Sequence, residues 1–386
     1  MPSIRVNRKA VARLASGHPW VYSSDLLDAK GAEPGSTVSV VDPSGRSLGV
    51  AHFSASSLIS LRMLDRGRPT VDAVFFRKRI EAAAAVRARR VRESDAYRLV
   101  HAEGDQLPGL IIDRYGDCFV LQALTQGMSA AQPWIVEALV DLYAPRAIVA
   151  RNDAAVREKE NLPRLVEVVH GSLEAPIEIA MNGMKWRADP LHGQKTGVFL
   201  DQRENYLAVR NYAHGRALDC FTCTGGFALH LASVCETVEA VDSSEEALKT
   251  AEWNRAANGM ANVTFREADL FQLLSAFSSS RRGYDTVVLD PPALAKSRSS
   301  LEAAGRAYRD LNARALRLLP AGGILISCSC SHHLNEAALL SVIAEASLET
   351  NRTLRVLERR GQALDHPVML TIPETSYLKC LIFEVQ

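Results

Sequence analysis

The fold class of this chain is decided by one stretch, Leu218-Asp219-Cys220-Phe221-Thr222-Cys223-Thr224-Gly225-Gly226-Phe227. It reads as a short apolar strand that runs through a glycine turn into a helix. Glycine lets the backbone approach a ligand closely, and the first N–H groups of a helix have no partner within it. The turn therefore suits the polar part of a cofactor, although Gly225 and Gly226 could also form only a tight turn. It has neither the G-x-G-x-x-G spacing of a dinucleotide site nor the Lys-Ser/Thr of a phosphate loop.

Apolar strand candidates alternate with helical stretches beyond Arg203. The strands are predicted at residues 217–220, 237–241, 263–267, 286–289 and 323–327. This alternation predicts an α/β fold in which helices cover both faces of a parallel, doubly wound sheet. Ligands of such sheets bind at the carboxyl ends of the strands, so the functional residues are expected there.

Acidic residues follow successive strands of the predicted sheet. Asp242 ends the second strand, where a carboxylate can accept both ribose hydroxyls of an adenosine. Asp269 follows the third strand and could meet the adenine amino group, and Asp290-Pro291-Pro292 follows the fourth. Taken alone, Asp242 or Asp269 could equally be a helix N-cap.

With the glycine turn, these acids resemble the cofactor site of class I methyltransferases, which bind S-adenosylmethionine. Asp-Pro-Pro after the fourth strand is the substrate-side motif of many nucleic-acid enzymes in that class. The resemblance implies that S-adenosylmethionine is held by Gln202, Arg203, Asp219, Phe221, Thr224, Gly225, Gly226, Asp242, Asp269 and Asp290.

The residue after the proline pair bears on the kind of methylation. Enzymes that methylate an exocyclic amine of a base carry an aromatic residue there for stacking, and this chain has Ala293. Methylation at C5 of a pyrimidine instead requires a thiolate that adds to C6, because C5 is otherwise a poor nucleophile.

The predicted fifth strand supplies two thiols, Cys328 and Cys330. We predict that Cys330 is the nucleophile and that Asp290 protonates or hydrogen-bonds N3 of a cytosine. Cys328, deeper in the strand, is interpreted as a small core residue, and the same alternative stands for Cys330. No metal is predicted, because Cys220-x-x-Cys223 has no second such pair to complete a zinc site.

Several ordered motifs resemble the large-subunit ribosomal RNA methyltransferase I family along nearly the whole chain. They are Lys195-Thr196-Gly197-Val198-Phe199-Leu200-Asp201-Gln202-Arg203, residues 220–227, Asp290-Pro291-Pro292, Ser329-Cys330-Ser331, His18-Pro19-Trp20-Val21-Tyr22 and residues 104–110. The resemblance implies an N-terminal, β-barrel-like PUA domain, a central α+β RNA-binding-like domain and a C-terminal Rossmann-like domain that forms 5-methylcytosine in 23S ribosomal RNA.

The chain departs from the family pattern at two places. Members often have Lys after the proline pair, where this chain has Ala293 with Lys296 downstream, and an aromatic residue at the position of Cys328. No Cys lies beside Asp-Pro-Pro, so one cysteine must both attack and be released. That layout resembles uracil-C5 methyltransferases and keeps uridine open as a target.

The N-terminal half divides into two predicted modules. Residues 1–73 read as a β-rich PUA-like domain and residues 74–180 as a central α+β domain, followed by the methyltransferase domain at 181–386. Within the central domain, strands at 110–113 and 118–122 are predicted to form a hairpin, a helix is predicted around Pro133 to Tyr143, and the stretch from Asn152 to Pro163 is predicted to be irregular. The domain begins with a basic helix predicted at 74–91. Its cations would bind RNA phosphates or simply face water: Arg77, Lys78, Arg87, Arg89 and Arg90.

The composition sets the remaining limits. Lys plus Arg is 45 against 44 for Asp plus Glu, so any RNA contact must come from local clusters. No apolar run is long enough to cross a bilayer and no secretory signal is present, so a cytoplasmic location is expected. The expected partner is 23S ribosomal RNA or a large-subunit assembly intermediate, and a homodimer stays open. A small-molecule methyltransferase and a noncatalytic RNA-binding protein are the competing functions.

Overall fold

The computed structural model describes residues 1–193, 195–279, 283–295 and 298–386. The chain forms two compact units. The first comprises Met1–Met181, Ala188–Val198 and Leu364–Thr375, and the second comprises Asn182–Arg187, Phe199–Ala363 and Ser376–Gln386. Lys296 lies outside the described residues. Within the described ranges, no helix combines the length and the apolar character needed to cross a membrane.

The first unit begins with a six-stranded sheet and one helix. The elements are β1 (Ser3–Val6), α1 (Arg8–Ala15), β2 (Trp20–Tyr22), β3 (Leu26–Asp28), β4 (Thr37–Val41), β5 (Ser47–Phe53) and β6 (Ile59–Asp65). The strand order is β2-β6-β5-β4-β1-β3, and only β1 and β4 run parallel. Alternate apolar residues of these strands form the core, including Val38, Val40 and Leu61.

A second, five-stranded sheet completes the first unit. Its elements are α2 (Ala73–Arg90), β7 (Ala96–His101), β8 (Leu110–Tyr115), β9 (Cys118–Ala123), α3 (Gln126–Tyr143), β10 (Ala147–Asn152), α4 (Val156–Lys159) and β11 (Leu165–Gly171). The order is β11-β10-β9-β8-β7, and β8 pairs antiparallel with β9 as the predicted hairpin requires. Two short strands follow, β12 (Ile177–Met181) and β13 (Met184–Ala188).

The sequence misjudged two elements of this sheet. The helix predicted from about Pro133 begins at Gln126, because the Thr125 side chain caps it by accepting the N–H of Met128. The stretch from Asn152 to Pro163, predicted to be irregular, contains the single turn α4.

Arg87 of α2 is not exposed to solvent, although both roles predicted for it, binding a phosphate and facing water, require exposure. Its side chain is 1% exposed and forms a two-pronged ion pair with Asp105, and Nη2 also donates to the carbonyl of Asp365 at 2.7 Å. Arg87 therefore cannot contact a phosphate. Lys78, Arg89 and Arg90 lie on the exposed side of the same helix.

The second unit is built on a seven-stranded mixed sheet. Its elements are α5 (Arg203–Ala208), β14 (Arg216–Cys220), α6 (Gly226–Leu231), β15 (Thr237–Asp242), α7 (Glu245–Ala257), β16 (Val263–Glu267), α8 (Leu270–Ser279), β17 (Thr286–Leu289), α9 (Leu301–Leu318), β18 (Ile324–Ser329), α10 (Glu336–Glu349), β19 (Leu354–Arg360) and β20 (Lys379–Val385).

The strand order of that sheet is β16-β15-β14-β17-β18-β20-β19. The first five strands run parallel and β20 is antiparallel to both of its neighbours, which confirms the predicted doubly wound sheet. The direction of winding reverses between β14 and β17. In open α/β sheets the ligand crevice lies at this reversal, beyond the carboxyl ends of the strands.

Candidate active site

The turn between β14 and α6 is shaped by close packing on Tyr206. Gly225 has φ +90°, a conformation that side chains rarely adopt. A Cβ at Gly226 would lie 2.4 Å from Cζ of Tyr206 and 2.5 Å from its hydroxyl. Phe221 and Cys223 also have positive φ angles, +64° and +49°. The backbone is thus bent tightly around the space at the start of α6.

Asp219 is fully buried beneath this turn. One carboxylate oxygen, Oδ2, accepts the Thr222 hydroxyl at 2.6 Å and the Ala228 N–H at 3.0 Å. The other, Oδ1, has no hydrogen-bond partner among the described residues. Burial, with the charge of Asp290 adding to it, raises the pKa of Asp219 to about 7. A buried acceptor without a donor fits a site that is completed by a polar ligand.

Asp242 and Asp269 differ in their local roles. Asp242 accepts the N–H of Cys223 on Oδ2 at 2.9 Å and that of Ser244 on Oδ1 at 3.0 Å. It is not the cap of α7, because that position belongs to Ser244. Asp269 does cap its helix, since Oδ1 accepts the Gln272 N–H at 2.9 Å. A carboxylate has about four acceptor positions, so these bonds leave room for a ligand hydroxyl at Asp242.

The remaining predicted cofactor residues belong to the same unit. Phe221 is half-buried and meets Phe271 edge to face, with ring centroids 6.3 Å apart. The Thr224 carbonyl accepts the side-chain amide of Asn254 at 3.0 Å. Arg203 is buried, and its Nη2 lies 3.5 Å from Oε1 of Glu204. Phe221 and Thr224 are thus part of the turn itself, and their contacts tie it to Phe271 and Asn254.

Gln202 is brought to Asp290 rather than to the glycine turn. Its side-chain Nε2 donates to Oδ2 of Asp290 at 3.1 Å, and both residues lie next to the end of β17. The structure thus joins two residues that the sequence placed 88 positions apart.

Cys330 lies just beyond β18, between two anchored serines. Tyr308 donates its hydroxyl to Ser329 at 2.9 Å, and the Ala295 N–H donates to the Ser331 hydroxyl at 3.2 Å. Lys379 donates to the Ser331 carbonyl at 2.7 Å. Both serines are buried while Cys330 is half-exposed, so the thiol is held at the sheet edge with access to a ligand.

Electrostatic effects connect Cys330 with its surroundings. Burial raises the pKa of the Tyr308 hydroxyl, and the charges of Cys330 and Asp290 add to that increase. Burial lowers the pKa of Lys379 to about 8, and the negative charge of Cys330 opposes this decrease. Lys379, a cation, and Tyr308, a weak acid, therefore both interact electrostatically with the Cys330 thiol.

Cys328 has a different environment. It is fully buried, pairs with Cys380 across β18 and β20, and has a pKa raised well above the usual thiol range by burial and by the hydrogen bond with Cys380. Buried thiols of this kind stay protonated and unreactive. None of the seven cysteines, all within the described ranges, forms a disulfide, and no cluster of potential metal ligands occurs among the described residues.

Comparisons with known proteins agree with this arrangement. Residues 4–66 match the PUA-like domain family, and residues 151–384 match the S-adenosylmethionine-dependent methyltransferase family. A protein of Shewanella frigidimarina named ribosomal RNA large subunit methyltransferase I is 40% identical over 378 residues, which cover 95% of each chain. Its namesake in Klebsiella pneumoniae is 39% identical over 372 residues, 94% of this chain and 93% of the relative. The chain belongs to the ribosomal RNA large subunit methyltransferase I family.

Solved structures support the fold of the whole chain. A structure described as a methyltransferase complexed with S-adenosylhomocysteine covers all of both chains with a TM-score of 0.86 at 20% identity. One described as an S-adenosylmethionine-dependent methyltransferase from Streptococcus mutans does so with a TM-score of 0.84 at 20% identity. The predicted fold class, PUA-like domain and cofactor are confirmed: the chain is an S-adenosylmethionine-dependent methyltransferase.

The sequence did not point to several residues that shape this site. Tyr206 lies under Gly226, and Ala295 and Lys379 anchor Ser331; no local pattern marks Tyr206 or Ala295. Only the apolar start of β20, where an isolated Lys379 precedes Cys380-Leu381-Ile382-Phe383, could have singled out a buried cation.

Proposed function

We propose that this enzyme methylates C5 of a cytosine in ribosomal RNA of the large subunit, through a covalent bond between Sγ of Cys330 and C6 of the base. One observation carries the proposal: Cys330 is a half-exposed thiol, held between two anchored serines, at the sheet edge where Asp290 follows the neighbouring strand. Cys328, the other thiol of that strand, is buried and protonated.

The proposed reaction follows from the chemistry of pyrimidines. The Cys330 thiolate adds to C6, and the displaced electron pair makes C5 nucleophilic while Asp290 gives a proton or hydrogen bond to N3. Bound S-adenosylmethionine supplies the electrophilic methyl group. Loss of the C5 proton to solvent, with return of any N3 proton to Asp290, then restores the ring and expels the thiolate. The buried ammonium of Lys379, which donates to the Ser331 carbonyl, stabilises the thiolate at both stages.

Cofactor binding is proposed for the residues around the glycine turn. Asp242 would hold the ribose hydroxyls, Asp269 the adenine amine, and the turn from Phe221 to Gly226 the amino-acid end above Asp219. Gln202 and Arg203 belong to the same proposed set. The fit rests on the unsatisfied Oδ1 of Asp219 and on the tight backbone turn at Gly225, with its φ of +90°.

An RNA substrate is supported by the names of the relatives and by the PUA-like match at residues 4–66. The exposed cations Lys78, Arg89 and Arg90 could bind its phosphates. The proposal is of a cytoplasmic enzyme that acts on 23S ribosomal RNA, either naked or in a large-subunit assembly intermediate.

The test is nucleoside mass spectrometry after incubation of unmodified 23S ribosomal RNA with the enzyme and isotopically labelled cofactor. Labelled 5-methylcytidine from the wild type, and none from Cys330→Ala, is the expected result. Labelled 5-methyluridine would replace cytosine by uracil as the target. Label in a small molecule but not in RNA, with cofactor consumed, would overturn the RNA assignment.

A further inference from the structure

A row of hydrogen bonds leads from β19 to the proposed catalytic acid. Arg360 donates from Nε to Oδ1 of Asn205 at 2.8 Å. Asn205 donates from Nδ2 to Oε1 of Gln202 at 2.6 Å and to the Gly361 carbonyl at 3.0 Å. Gln202 in turn donates from Nε2 to Oδ2 of Asp290 at 3.1 Å. Four side chains, of which the bonded pair Asn205 and Arg360 is 155 positions apart in the chain, thus form one continuous row.

The direction of this row is set at Asn205 by two groups, Arg360, which can only donate, and the Gly361 carbonyl, which can only accept. A guanidinium has only donors, whereas each amide side chain can turn either its oxygen or its nitrogen toward a neighbour. Because Arg360 donates to Asn205, the amide of Asn205 must turn its NH2 group toward Gln202. The amide of Gln202 must then turn its own NH2 group toward Asp290.

Burial makes this direction costly to reverse. Asn205 is 1% exposed and Gln202 is 2% exposed, so water is not at hand to satisfy a misdirected amide. A reversed Gln202 would place its oxygen against the Oδ2 of Asp290, which already acts as an acceptor, and would keep only the weak thiol donor of Cys328 as a partner. An unsatisfied buried polar group costs about 1–3 kcal/mol.

We infer that Arg360 and Asn205 are positioning residues, which fix Gln202 as a hydrogen-bond donor to Oδ2 of Asp290, so that a proton carried by Asp290 sits on its other oxygen, Oδ1. The inference rests on the proposed function, because it takes Asp290 as the group that acts on the pyrimidine. It explains why a proton on Asp290 is carried by Oδ1 and not by Oδ2.

Other groups around Asp290 also bear on its protonation. Electrostatic interactions link it to titratable groups on β14, α5, α9 and β18, namely Asp219, Tyr206, Tyr308 and Cys328. At the far end of the row, Arg360 forms an ion pair with Glu358, which also accepts the Tyr212 hydroxyl at 2.9 Å. None of these residues is changed in the test.

The test compares three variants of the full-length enzyme with a matched control. Arg360→Lys keeps a donor-only cation and should retain kcat within about threefold. Arg360→Gln removes one of the two groups that set the direction, and Asn205→Asp removes the donor to Gln202. Loss of a hydrogen bond to a charged group corresponds to about a tenfold or greater decrease in kcat. The control is Arg359→Gln, which removes the neighbouring, 57% exposed arginine.

The readouts separate positioning from simple loss of structure. For Arg360→Gln and Asn205→Asp, the pH at which kcat falls to half should shift, while KM for RNA and the calorimetric Kd for S-adenosylmethionine stay within about twofold and the melting temperature shows a folded protein. Arg360→Lys and Arg359→Gln should keep the wild-type pH profile.

Failure of the inference and failure of the proposed function give different results. If Asp290→Asn and Cys330→Ala are inactive while Arg360→Gln and Asn205→Asp keep the wild-type kcat and pH profile, the positioning role is overturned and the proposed function stands. If Asp290→Asn itself keeps full activity, the proposed function fails. If Arg360→Gln does not fold, the pH profile of kcat for Asn205→Asp is compared with that for Arg360→Lys. A shifted profile in Asn205→Asp alone supports the positioning role, and equal profiles overturn it.

Discussion

The backbone N–H of Ala295 donates to the hydroxyl of Ser331 at 3.2 Å and joins the segments that follow β17 and β18. Asp290 begins the first segment and Cys330 immediately precedes Ser331 in the second. This single bond therefore helps to hold the proposed acid and the proposed nucleophile at the same edge of the sheet.

Ser331→Ala should lower kcat without weakening cofactor binding, because it leaves the buried N–H of Ala295 without an acceptor. A typical hydrogen bond contributes about 0.5–1.5 kcal/mol, which corresponds to roughly a twofold to tenfold decrease. Ser347→Ala on α10, where the hydroxyl bonds only its own helix, is the control. Equal kcat for both variants and the wild type would show that the hydrogen bond between Ala295 and Ser331 does not support catalysis.

The stability of the enzyme should depend on pH through Asp219. Burial raises its pKa to about 7 in the folded chain, against about 3.9 in an unfolded one. Between these values the folded state binds more protons, so the free energy of unfolding falls as pH rises toward 7 and beyond, by up to about 1.4 kcal/mol for each unit of pH.

Asp219→Asn removes that titration and supplies the comparison. The melting temperature of the wild type relative to Asp219→Asn should decline most steeply between pH 5 and about pH 7 and level off by pH 8. A constant difference over that range would mean that the carboxyl is already ionised at pH 5.

Gly226→Ala should destabilise the protein and impair cofactor binding, since its Cβ would overlap the buried ring of Tyr206 at 2.4 Å. Overpacking of this kind costs about 1–3 kcal/mol. Gly305→Ala in α9 is the control and should stabilise the protein. Its Cβ would meet only Val342, at 3.9 Å, and alanine favours a helix over glycine by about 0.5–1 kcal/mol. Thermal melting of both variants distinguishes the two effects, and equal stability of Gly226→Ala and wild type would contradict the packing.

RNA affinity should depend on salt through the exposed cations of α2. Replacing Lys78, Arg89 and Arg90 by glutamine should reduce the slope of log K against log salt by up to about 0.7 for each charge, as for single-stranded nucleic acids. Arg87→Gln should instead lower stability by about 3–5 kcal/mol, because it leaves Asp105 buried without its partner. An unchanged slope in the triple variant would mean that these cations only face water.

Much of the second unit could be predicted from the sequence because its signals are local. The strand-turn-helix around Gly225, the acids after successive strands and the alternation of elements all lie within short windows, and each indicates the parallel part of the sheet. The predicted division at residues 73 and 180 stays a prediction. The two compact units are discontinuous, with 364–375 in the first, and a segment recruited from so far along the chain leaves no local pattern.

The site was harder to predict where function depends on contacts between distant residues. The burial of Arg87 follows from Asp105 and Asp365, which no helical periodicity of α2 reveals. The sequence likewise assigned Gln202 to the cofactor but could not join it to Asp290, because that bond requires the end of β17 and the start of α5 to meet. The anchoring of Ser331 by Lys379 depends on β20, a strand that the sequence did not identify.

The most direct test of the central claim uses RNA that contains 5-fluorocytosine, because fluorine at C5 blocks the elimination that releases the enzyme. With S-adenosylmethionine present, the wild type and Cys328→Ala should each form a covalent RNA adduct, and peptide mapping should find the modified base on Cys330. An adduct on Cys328, or full methylation of ordinary RNA by Cys330→Ala, would contradict the account.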